Sequence, residues 1–196
     1  MEKRTAQIHR LTKETDISLT LNIDGSGKCK SDTGIGFFDH MVDGFARHGF
    51  FDVDLLCKGD LRVDSHHTVE DCGIVLGEAV KKALGDKSGI RRYGHFILSM
   101  DEALVLCAVD LCGRPFLVFE EEYTVPKIGD MDTELIREFF YAVSYSAMIN
   151  LHLRCISGNN NHHIAEASFK AFAKALEMAV QYDERINGVL STKGVL

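Results

Sequence analysis

Apolar residues recur along this chain in two registers, helical and alternating, and the pair of registers occurs twice. Met41, Val42 and Phe45 share one helix face, while Phe51, Val53 and Leu55 alternate as in a half-buried strand. From Met41 to Phe139 is an offset of 98 positions, and it lays Phe139, Phe140, Val143, Ile149, Leu151 and Leu153 on those six residues. Apolar meets apolar throughout. Past the strand the offset falls to 96, as from His66 to His162, which costs two loop residues. Leu76, Val80 and Leu84 then meet Phe172, Leu176 and Val180, a helical stripe in both copies.

Ahead of the first helix, Ile17, Leu19, Leu21 and Ile23 alternate with polar residues, as a strand with one wet face does. ALVLCAVDL and PFLVF, around Gly113 and Arg114, supply two strands to the second half. The plan common to both halves is strand, strand, helix, strand, helix. It predicts an internally duplicated α+β fold, each half a small sheet with two helices on one face, over residues 1–91 and 92–187. Residues 188–196 form a C-terminal tail. Whether the helices or the sheets of the two halves face each other is left open by the pattern.

Composition narrows the setting. Of the 196 residues 45% are hydrophobic, enough for a packed core, and only two are proline, so no flexible linker is marked. No apolar run approaches the roughly 20 residues of a membrane span, and MEKRTAQIHR lacks the apolar stretch of a signal peptide. A cytoplasmic protein with no membrane partner is expected, with its six cysteines reduced. None forms a CxxC pair, and Cys72 and Cys107 read as core residues. The net charge of -7 argues against nucleic acid as a partner, so a phosphate ligand would need a local basic cluster.

Chemistry enters with HHTVE at residues 66–70 and HHIAE at 162–166, which the 96-residue offset superposes. On a helix His66 shares a face with Glu70, and His162 with Glu166, so each pair can grip one ion. Adjacent side chains diverge by about 100°, so His67 and His163 serve a different ion from their neighbours. Exchange between the clusters would set His66 and Glu70 with His163, and His162 and Glu166 with His67. The 98-residue offset adds His40, matched to Glu138, which brings each ion to four protein ligands. Imidazole and carboxylate donors suit several divalent ions, and the absence of HExxH disfavours a zincin protease.

DHM, HHTVED, NNNHHIAEASFKAFAKAL and the terminal STKGVL occur in order, and with them nearly the whole chain resembles the imidazoleglycerol-phosphate dehydratases of histidine biosynthesis. That resemblance implies a fold like the second domain of ribosomal protein S5, a cytoplasmic homo-oligomer of 24 chains, and two Mn2+ ions per active site assembled between subunits. It implies metal ligation by His40, His66, His67, Glu70, His162, His163 and Glu166, and by Glu138 at a position where many members carry histidine. The reaction converts imidazole glycerol phosphate to imidazole acetol phosphate and water, although the side-chain proton to be removed is not acidic. In that resemblance, ions on the ring nitrogens would favour the imidazolate, which could expel the neighbouring hydroxyl, and the side-chain proton would be acidified in the species left by that loss.

Glu14 matches a family glutamate suited to taking the proton, and His48 and Asp101 match polar active-site positions that can assist departure of the hydroxyl. Arg92, Arg114, Lys170, Ser191 and Lys193 match the family's phosphate contacts. The rival enzyme reading is a dinuclear metallohydrolase acting on a small phosphate ester, in which the ions activate water.

Overall fold

The computed structural model describes residues 4–196; residues 1–3, which begin the stretch read as lacking a signal peptide, lie outside the described residues. The first half runs β1 (Thr5–Leu11), β2 (Thr15–Asn22), β3 (Cys29–Asp32), α1 (Gly36–Gly49), β4 (Asp52–Gly59) and α2 (His66–Leu84). The second runs β5 (Tyr93–Met100), β6 (Ala103–Asp110), β7 (Phe116–Glu120), a small hairpin of β8 (Lys127–Ile128) and β9 (Met131–Asp132), α3 (Glu134–Ala147), β10 (Asn150–Ser157) and α4 (Asn161–Val180). The sheets have matching orders, β1-β2-β4-β3 and β5-β6-β10-β7. In each the last strand pairs in parallel with its neighbour and the others are antiparallel.

The four-stranded sheet of each half therefore takes three strands from ahead of its first helix, where the apolar pattern gave fewer. Besides the small β8–β9 hairpin, the unforeseen strands are β1, β3 and β5, and all three lie at edges of the four-stranded sheets. An edge strand has one neighbour and a looser demand for alternation. β3 reads CKSD, with no large apolar residue, while β5 places Ile97 outward and Phe96 and Leu98 inward, which masks the period. By contrast, every apolar position paired by the repeat offsets is buried.

Helices, not sheets, face one another. α2 lies on β1 and β2, and α4 on β5 and β6, while across the halves α2 packs on α3 and α1 on α4. Phenylalanines fill the centre: Phe38 meets Phe139 edge-on at 5.3 Å, Phe139 stacks on Phe169 at 5.0 Å, and Phe45 stacks on Phe172 at 5.5 Å. Each fully buried ring contributes roughly 2–3 kcal/mol of hydrophobic stabilisation.

Small residues set the close approaches. Ala167, Ala171, Ala175 and Ala179 make a fully buried stripe along α4, and a Cβ on Gly94 of β5 would collide with the Ala175 carbonyl. On α2, a Cβ on Gly77 would stand 2.7 Å from both the Val143 carbonyl oxygen and Ser146 Cβ of α3. Alanine would ordinarily strengthen a helix interior by about 1 kcal/mol relative to glycine. Here the contact is with backbone, so Gly77→Ala should instead destabilise the fold by roughly 1–3 kcal/mol, as overpacking does. A lowered denaturant midpoint is expected, and a raised one would show that α2 and α3 do not lie this close.

Candidate metal centre

α1 and α4 bring together the one cluster of three or more potential metal ligands among the described residues: His40, His162 and Glu166, with ligand atoms all within 4.8 Å of one another. Their positions follow from the helix seam. His40 lies on α1 between the buried Phe38 and Met41, and Phe37 touches the His162 ring edge-on at 5.2 Å. His162 and Glu166 share a face one turn apart, as the spacing requires. Asn160 caps this helix, its side-chain oxygen accepting from the backbone N–H groups of His162 and His163.

Glu166 is the hub. Its Oε2 lies 3.4 Å from His40 Nε2 and 3.1 Å from His162 Nε2, and its Oε1 lies 2.6 Å from Lys170 Nζ. Burial pushes the carboxyl upward, but the Lys170 hydrogen bond and charge outweigh it and hold Glu166 below the usual carboxylate range. Lys170 also acts on His48 in the last turn of α1; burial, and then this ammonium, hold the imidazole below its ordinary value.

The ligand exchange expected within the sequence is not assembled in one chain. Within the chain, His40 lies beside the His162–Glu166 pair and His67 does not. The reason is packing: α2 packs on α3 and α4 on α1, so the two His-His pairs stand on helices with different partners. His66 Nε2 lies 3.6 Å from Glu70, with no third potential ligand clustered beside them among the described residues, and Glu138 turns to Arg137 at 3.0 Å.

The second histidine of each pair has its own surroundings. His67 Nδ1 donates to Asp60, with both carboxylate oxygens at 3.1 Å, and its Nε2 faces Glu14 at 3.7 Å. His163 Nδ1 donates to Glu102 Oε2 at 2.8 Å, and its Nε2 faces Asp101 at 3.6 Å. The Asp60 hydrogen bond raises His67, and the Glu102 hydrogen bond raises His163. Glu102 in turn is pulled down to about 2 by the His163 contact and then by the Asn160 N–H. Glu14 and Asp101 both sit in the first hairpin turn of their half, so these two candidates occupy related places. Asp60 and Glu102 were not singled out from sequence, because a turn carboxylate reads as a solvated charge.

The candidate phosphate residues divide. Arg92 spans Asp110, through Nε at 2.7 Å and Nη2 at 3.1 Å, and donates from Nη1 to the Leu190 carbonyl at 2.8 Å. Beyond that tether the tail turns back, with the Lys193 N–H donating to Ser191 Oγ. Its end reaches the loop before Arg114, where a Cβ on Gly113 would come within 2.6 Å of the Leu196 carbonyl carbon. Arg92, Arg114, Ser191 and Lys193 thus belong to one region, and Lys170 belongs to the Glu166 cluster.

Residues 33–176 match the family model for imidazoleglycerol-phosphate dehydratase. A protein of that description from Lachnoclostridium phytofermentans is 65% identical over 193 residues, covering 98% of each chain, and one from Acetivibrio thermocellus is 58% identical, covering 98% of this chain and 99% of the relative. Crystal structures of imidazoleglycerol-phosphate dehydratase superpose with TM-scores of 0.80 for Staphylococcus aureus and 0.82 for Pyrococcus furiosus, each at 36% identity. They cover 91% and 96% of this chain and 99% and 100% of their own. With fold, motif order and sequence identity in agreement over nearly its full length, the chain belongs to the imidazoleglycerol-phosphate dehydratase family.

Proposed function

We propose that this protein dehydrates imidazole glycerol phosphate to imidazole acetol phosphate in histidine biosynthesis, as a cytoplasmic homo-oligomer of 24 chains with two Mn2+ ions per active site. The observation that carries the metal part is the seam cluster of His40, His162 and Glu166. Two imidazole nitrogens and one carboxylate, with no thiolate, form a donor set that fits a divalent ion such as Mn2+. His66 and Glu70, with Glu138 at the position matching His40, would supply the related half-site.

His67 and His163 complete these half-sites across subunits in this reading. Their Nε2 atoms stand apart from the in-chain cluster, and neither side chain is fully buried. When bound, the ions supply Lewis acidity to the substrate's ring nitrogens.

The chain's own residues then handle anion and protons. Arg92, Arg114, Ser191 and Lys193 hold the phosphate, with Arg92 also tying the tail in place; Lys170 adds positive charge beside Glu166. Glu14 takes the side-chain proton. It is half-exposed in a turn, so it can reach a substrate bound at the edge of the fold. Asp101, in the related turn, and His48 assist loss of the hydroxyl. No observation favours the hydrolase reading over dehydration.

The test follows imidazole acetol phosphate formation in native protein, after chelation and after Mn2+ is restored. Formation, loss and recovery are expected. Glu14→Gln should retain metal and substrate binding while turnover falls about 10²- to 10⁴-fold, the scale of general-base removal. Phosphate release without dehydration would overturn the reaction; undiminished turnover in Glu14→Gln would overturn the base.

A further inference from the structure

We infer that Asp60 and Glu102 are positioning residues of the metal centre: each holds one imidazole by its Nδ1–H so that Nε2 is presented to an ion, His67 in one half and His163 in the other. This rests on the reading of the paired histidines as ligands. An ionised carboxylate only accepts hydrogen bonds, so the contacts at 3.1 Å and 2.8 Å place the hydrogen on Nδ1. The opposite nitrogens face Glu14 and Asp101 at 3.7 Å and 3.6 Å, too far for hydrogen bonds. Each ring is therefore fixed at one nitrogen and uncommitted at the other. That is the arrangement by which an outer carboxylate orients a metal-binding histidine.

The two halves reach it by different routes. Asp60 follows β4, whereas Glu102 lies in the β5–β6 turn. Residues 156–158, which match the end of β4 under the repeat offsets, are Ile, Ser and Gly, so the second half has no carboxylate where the first has Asp60. A pair inherited passively from the duplication would occupy matched positions. What the halves share is the function of the carboxylate and not its origin.

Glu102 also has a structural task, since its Oε1 accepts from the N–H groups of Asn159 at 3.2 Å and Asn160 at 2.8 Å. This leaves Oε2 for His163 and ties the ring to the start of α4. Asp60 has both oxygens on His67 and gives the cleaner test.

Metal-free protein would be titrated with Mn2+ by calorimetry, with the ions bound per chain counted by elemental analysis. Asp60→Leu removes the acceptor at similar size and should weaken Mn2+ binding about 10- to 100-fold, the usual cost of losing such a partner. The melting temperature of the metal-free protein should stay unchanged, which a merely structural role would not permit. Asp60→Asn and Glu102→Gln keep an acceptor oxygen but lose the charge, and should weaken binding severalfold. These amide variants carry the test if Asp60→Leu does not fold. Native affinity in Asp60→Leu, or in both amide variants, would overturn the inference. His67→Ala and His163→Ala run beside them: loss of metal there alone rejects only the positioning role, while full affinity there rejects the ligand reading itself.

Discussion

The seam between α1 and α4 is the contact on which the rest of the molecule depends. Phe45 on one helix stacks on Phe172 of the other, and Phe38 joins the same aromatic group through Phe139 and Phe169. α4 can sit at that depth because its other side is a stripe of alanines lying on β5 and β6. Removing a buried ring from such a seam costs roughly 3–5 kcal/mol, comparable to the whole margin by which many domains are folded. The same seam carries His40 of the first half to Glu166 of the second. Core packing and ligand placement are therefore one constraint.

Duplication explains much of the geometry around it. Both first helices end on a left-handed, non-glycine residue, Phe50 at φ 57° and Met148 at φ 58°, and in each the strand begins two residues later, at Asp52 and Asn150. Such a conformation costs an ordinary residue about 1–2 kcal/mol, so its retention in both halves marks a turn the architecture demands. The halves differ at the candidate ligand positions, where His40 of the first stands against Glu138 of the second.

What could be read from the chain follows from how local each signal is. Central strands and all four helices have one face in the core, so their periods were visible in Ile17 to Ile23 and in the stripe from Leu76 to Leu84. Edge strands β1, β3 and β5 lacked that demand. Helical spacing correctly paired His66 with Glu70 and His162 with Glu166, because i and i+4 proximity is local. That His40 is the in-chain neighbour of the His162–Glu166 pair was not legible from spacing, since only tertiary packing tells that α4 meets α1. Asp60 and Glu102 were invisible for the same reason: what defines them is the ring across from them, not their neighbours in sequence.

Electrostatics make the seam cluster ready for a cation. Glu166 is buried, yet Lys170 keeps it below the ordinary carboxylate range, so a negative oxygen faces two imidazoles at neutral pH. The most direct measurement is anomalous diffraction at the manganese edge from crystals of the native protein grown with Mn2+. A peak bonded to His40 Nε2, His162 Nε2 and a Glu166 oxygen is the result this account predicts. Manganese bound elsewhere, with those three side chains still clustered around Lys170, would contradict it.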